Sequence, residues 1–174
     1  MSSFYRFPKL SDQSIALLIN IKDHELDRPR LALLFKNNTE KAMQVFDQLL
    51  EGQNRNAAVM TATYMPNKYK NRYYNRMLEI LYGENNIDKE SILYFLKECS
   101  CKKATDIAGF ARTLSDIKTI RTTIDYMGKC DDVLDCIDQF ITWMQFNYHS
   151  VVFDALYIMK QTKSKDKRLL ETYE

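Results

Sequence analysis

Glycine and proline are scarce, with four and three copies in 174 residues. Hairpin-rich β folds place such residues at their turns, so the deficit points toward helices joined by polar loops. Long apolar runs are missing too. No stretch reaches the roughly eighteen uninterrupted apolar residues of a membrane-spanning helix. The opening MSSFYRFPKL lacks the apolar core of a secretory signal. It carries Arg6 and Lys9 without an acid, but it is too short and too poor in Arg and Ser for an organellar presequence. Membrane insertion is therefore not expected. Catalytic signatures are also lacking, since no Gly-rich phosphate loop, G-x-S-x-G or H-E-x-x-H occurs. The two histidines, His24 and His149, lie far in sequence from the clusters of cysteine. Cys99, Cys101, Cys130 and Cys136 are spaced C-x-C and C-x5-C, unlike the C-x2-C of zinc sites. They read as buried free thiols of a reducing compartment. No metal, cofactor or enzymatic activity is expected.

What is present is a chain able to build a core. Hydrophobic residues make up 45% and aromatics 12%, and the length fits one domain over 1–174. A formal charge of +2 permits contact with nucleic acid without arguing for it. Helical periodicity recurs between polar breaks. Asp12–Ile21 follows Ser11 as N-cap, and Pro29–Asn37 opens with a proline tolerated in a first turn. In Thr39–Gly52 the apolar Ala42, Val45, Phe46, Leu49 and Leu50 form one helical stripe closed by glycine. Further helices are expected over Asn56–Met65, Lys68–Gly83, Asp88–Cys101, Ala104–Ile117, Ile120–Lys129, Asp131–Met144 and Ser150–Lys160. No convincing strand is found. Short helices of this kind are marginal alone and must bury a stripe against neighbours. The fold class expected is all-α, either an α-solenoid of four to five antiparallel helical hairpins or a compact helical bundle.

A repeat is visible in the order of these pieces. Lys41–Met65, Asn75–Cys99 and Asp135–Met159 each carry an amphipathic helix, a polar loop and a second helix. Phe46, Leu81 and Phe140 occupy equivalent core slots. The step from 46 to 81 lies in the range of helical repeats, and the next is longer, so the period is irregular. Within IDYMGKCDDV, residues 124–133, Gly128 ends one helix and Asp131 or Asp132 caps the next. Over about residues 40–160 the chain resembles pentatricopeptide-repeat proteins, particularly arrays of mixed repeat length. The resemblance implies stacked hairpins whose first helices line a groove and read one RNA base per repeat.

Carried onto this chain, the resemblance makes Thr61 and Asp88 the best base-reading pair, a hydroxyl and a carboxylate able to address a base edge. The plainer reading is a helix residue on a small-residue seam and an N-cap. The next first-helix positions hold Leu93, which cannot hydrogen-bond a base, and Arg121, which suits phosphate or stacking; the last holds Asp154. A second candidate is the helix NKYKNRYYNRM, where Lys68, Lys70, Arg72 and Arg76 interleave with Tyr69, Tyr73 and Tyr74. Cations with aromatics suit phosphate contact and base stacking. The alternative there is a solvated basic face with packed tyrosines. The function expected is a non-enzymatic, RNA-associated adaptor or structural subunit of a ribonucleoprotein, in a mitochondrion or other organelle as the family implies, otherwise cytoplasmic. Its partners would be structured or single-stranded RNA, protein subunits, or both. The alternatives are a protein-only scaffold and a viral or phage helical-bundle interaction module, the last suggested by the abundance of Asn, Lys, Ile and Tyr. The tail 161–174 offers only Leu169, Leu170 and Tyr173 to a last helix, so a solenoid would rest that end on a partner.

Overall fold

The computed structural model describes residues 9–136, apart from 53, 85, 112 and 115. The expected helix over Ser150–Lys160, most of that over Asp131–Met144, the core slot of Phe140, the positions of Asp154 and His149 and the tail all lie outside the described residues. The protein is all-α. Among the described residues eight α-helices and three short 3-10 turns are present, without a strand. The chain divides into two compact units, one of residues 9–66 with Asn86–Asp88 and one beginning at Asn67 and resuming at Lys89.

The first unit holds α1 (Asp12–Asn20), α2 (Asp27–Asn37), α3 (Thr39–Glu51) and α4 (Arg55–Thr61). Ser11 caps α1 by accepting the Ser14 N–H. Asn38 alone separates α2 from α3. Its φ of −150° breaks the helix, and its side chain then accepts the Lys41 N–H at 3.1 Å to start the next. A link this short makes the two helices neighbours, and α4 packs against both. The stripe Ala42, Val45, Phe46, Leu49 and Leu50 is wholly buried, and Phe46 meets Phe35 edge-on with centroids 6.0 Å apart. Burying side chains of this size contributes about 1.5–3 kcal/mol each. Asp27, only 2% exposed, is ion-paired to Arg30 at 2.7 Å and accepts from Asn54 at 2.9 Å, which ties the start of α2 to the residue preceding α4.

The second unit holds α5 (Asn67–Gly83), α6 (Lys89–Lys97), α7 (Thr105–Ala111) and α8 (Ile117–Met127), followed by a 3-10 turn at Val133–Cys136. Helix α5 packs on α6 and α7, and α6 on α8. Two helices are shorter than their periodicity predicts. Helix α6 tightens after Lys97, where the Glu98 and Cys99 N–H groups reach back only three residues, to Phe95 and Leu96. Helix α7 stops at Ala111, and α8 starts three residues earlier than expected because Asp116 caps it, accepting from Lys118 N–H at 3.0 Å and Thr119 N–H at 3.2 Å.

Polar contacts within this unit, several of them between alternate helices, recur at a nearly constant sequence separation. Lys70 pairs with Glu98, Lys97 with Asp125, and Lys118 with Glu90. The Phe110 N–H donates to the Tyr82 hydroxyl, and the Ala104 N–H to the Asp132 carboxylate, each across 28 residues. Asn71 and Lys103 add bonds across 29, to Ser100 and Tyr74. This spacing differs from the 35-residue step suggested by Phe46 and Leu81, which are buried in different units.

Candidate interaction site

The basic helix is α5, and its fold divides the expected patch. Lys68 and Arg72 are exposed, lying over the rings of Tyr69 and Tyr73 at 4.8 and 5.5 Å. Lys70 points inward: only 2% of its side chain is exposed, its ammonium binds Glu98, and it lies 6.0 Å from the centroid of Phe95. Tyr73 is 6% exposed. Arg76 is partly exposed and pairs with Glu79 at 2.9 Å, one turn along the same helix. Helical geometry accounts for the split, because positions 70, 73, 74 and 77 fall on one stripe and that stripe faces the core.

The base-reading positions are also dispersed. Thr61 is fully buried, and its hydroxyl donates to the carbonyls of Ala57 and Ala58 within its own helix, at 2.8 and 3.0 Å. It presents no group at the surface. Asp88 is partly exposed, and its backbone N–H donates to the Asn56 side chain at 3.0 Å. Leu93 is buried in α6, whereas Arg121 is exposed on α8.

A different group of residues comes together in the second unit. Leu81, Tyr82, Lys89, Gly109, Phe110 and Thr113 line a half-open recess of about 470 Å³. Tyr82 forms one wall and is held firmly. Its hydroxyl donates to the Asp106 carbonyl at 2.8 Å and accepts the Phe110 N–H at 3.1 Å, while its ring stands edge-on to Phe110 at 6.3 Å. Gly109 permits this approach, since a Cβ there would lie 3.3 Å from the Tyr82 hydroxyl. Lys89 reaches in from the first turn of α6, donating to the Leu81 carbonyl with its ammonium 5.9 Å from the Phe110 centroid. Burial pushes the Lys89 pKa below its ordinary value, because desolvation disfavours the charged form.

Beside the recess, a polar network fixes α7. The Tyr74 hydroxyl lies 2.8 Å from the Asp106 carboxylate and 2.8 Å from the Tyr126 hydroxyl, which donates in turn to the Lys103 carbonyl at 3.0 Å. Burial raises both phenol pKa values, so the two hydroxyls stay protonated. The Asp132 carboxylate accepts from Ala104 N–H at 2.7 Å, Thr105 N–H at 3.1 Å and the Thr105 hydroxyl at 2.7 Å. The turn after α8 thus supplies the anion that caps α7.

None of the recess residues stands out by residue type. The one available signal is Gly109, a glycine inside the apolar segment TDIAGFA, where helix propensity disfavours it by about 1 kcal/mol relative to alanine. The cysteines are all free; Cys101 is exposed and the other three are buried. No group of three or more potential metal-ligating side chains is gathered among the described residues. No helix there is long and apolar enough to cross a membrane. Compared with models of known protein families, with curated proteins and with solved structures, the chain matches none.

Proposed function

We propose that this protein is a non-enzymatic helical-repeat interaction module whose partner is another protein. The near-constant 28-residue spacing of contacts in the second unit supports stacked helical units of similar length. What favours a protein partner over RNA is the fate of the basic helix. Phosphate binding needs cations free to displace counterions from a backbone. Here Lys70 is buried against Glu98 and Arg76 is paired with Glu79, which leaves Lys68 and Arg72 as the exposed cations of the expected set on α5. Tyr73, one of the stacking candidates, is packed inward.

Fluorescence anisotropy with mixed-sequence single-stranded and structured RNA, across a salt series, tests this reading. The expected result is weak binding that is much the same for wild type and a Lys68→Ala/Arg72→Ala variant. Tight binding with a steep salt dependence that collapses in the variant would overturn it and restore RNA as the partner.

A further inference from the structure

The recess beside Tyr82 holds a cation that no acid among the described residues answers. Among the described residues of the second unit, two lysines reach an aromatic ring on a neighbouring helix, Lys70 over Phe95 and Lys89 over Phe110. The first is neutralised by Glu98. Lys89 gives one proton to the Leu81 carbonyl, and among the described residues it makes no ion pair. An ammonium carries three donors, so two are left beside the recess. The rest of the lining is a prearranged aromatic corner, because the Tyr82 hydroxyl is fixed by two hydrogen bonds and Gly109 leaves the ring room to sit close to α7. The volume of about 470 Å³ lies in the range of sites that enclose a small ligand or a protruding side-chain group.

We infer that this recess binds a carboxylate carried on an apolar body, the carboxylate at the Lys89 ammonium and the body against the rings of Tyr82 and Phe110. Charge complementarity selects the anion, and the aromatic walls select what carries it. The lowered pKa of Lys89 agrees with this, since a carboxylate would restore the interactions that burial took from the ammonium. Resting on the protein-partner reading above, the source is an acidic side chain next to an aromatic or aliphatic residue on the partner polypeptide.

The test uses the full chain with two probes of matched shape, 3-phenylpropionate and its neutral amide, followed by NMR at Gly109 and Phe110. The acid is expected to bind about tenfold more tightly than the amide, the effect of one charge-assisted hydrogen bond in a half-buried site. That preference should vanish in Lys89→Met, which keeps the apolar stem. A second readout needs no variant: titration of the Lys89 amine in wild type should shift upward with saturating acid and stay put with amide. Equal binding of acid and amide, or an unmoved Lys89 titration, would overturn the inference. An array of defined short peptides pairing Asp or Glu with Phe or Leu separates this proposal from the one it rests on. Peptides that bind Lys89→Met as well as wild type would sink the recess and keep the protein-partner reading. Phenylpropionate bound at Lys89, with no peptide binding at all, would keep the recess and sink that reading.

Discussion

Removing the Asp132 carboxylate should destabilise the second unit through α7, a helix the residue does not belong to. Its oxygens accept from two backbone N–H groups and one hydroxyl at the start of that helix. Losing a helix cap typically costs about 1 kcal/mol and at most about 2. Ala104 is fully buried, so its N–H would also lose its partner without gaining water, a penalty of about 1–3 kcal/mol. These effects overlap, and Asp132→Ala is expected to cost about 2–3 kcal/mol, whereas Asp132→Asn, which keeps one acceptor, should cost about 1 kcal/mol. The pH dependence gives a second signature. Burial alone would raise the Asp132 pKa, but the hydrogen bonds from Ala104 and Thr105 together hold it below the ordinary carboxylate value. The unfolded chain therefore binds the proton first as pH falls. The stabilisation is complete above the ordinary value and is lost as pH drops through the depressed folded value. Urea unfolding followed by circular dichroism, at neutral pH and then stepwise into acid, measures both effects. The Asn variant should lose less stability on acidification than wild type. An Ala variant within about 0.5 kcal/mol of wild type at neutral pH would refute the capping argument.

Three further outcomes are expected. Tyr126→Phe should destabilise by about 1–2 kcal/mol in the same urea assay, because it strips a hydroxyl from a fully buried residue and leaves the Lys103 carbonyl short of a donor; a neutral or stabilised variant would contradict this. Gly109→Ala should fail to deliver the usual helix-propensity gain of about 1 kcal/mol, since its Cβ would press on the Tyr82 hydroxyl at 3.3 Å. In a Tyr82→Phe background that contact is gone and the gain should reappear, so a double-mutant cycle showing no coupling would disprove it. Brief iodoacetamide labelling of the folded protein at neutral pH should modify Cys101 first, because Cys99 and Cys130 are buried and their thiol pKa values are pushed up to about 12, chiefly by desolvation. Peptide mapping with equal label on all four cysteines would contradict the burial.

Among the described residues, local signals in the chain located most helices but left several helix ends and the long-range register open. The stripe from Ala42 to Leu50, the Ser11 cap and the closing Gly52 were all legible, because each depends on residues within a few positions of one another. Asp116 illustrates the limit. It lies inside a run that periodicity assigns to the preceding helix, yet its side chain starts the next one, and apolar spacing alone does not separate those roles. Lys70 is harder still. A lysine among tyrosines and arginines reads as surface, and Glu98, on the far side of the 28-residue step, together with the Phe95 ring helps make its burial affordable.

The same step explains why the recess was invisible in the sequence. Tyr82, Lys89 and Phe110 belong to three different helices and carry no motif together. They converge because Tyr82 reaches 28 residues ahead to the backbone of Phe110, the interval that also joins Lys70 to Glu98 and Ala104 to Asp132. In the first two cases a buried or half-buried polar group finds its partner across that interval, and Asp132 finds its partner in the N-terminus of α7. Lys89 occupies the corresponding kind of position, a lysine over an aromatic ring of the next helix, and no carboxylate among the described residues pairs with it. Within the fold the Lys89 ammonium serves the last turn of α5 through the Leu81 carbonyl, and the carboxylate proposed above would engage the donors that this bond leaves over.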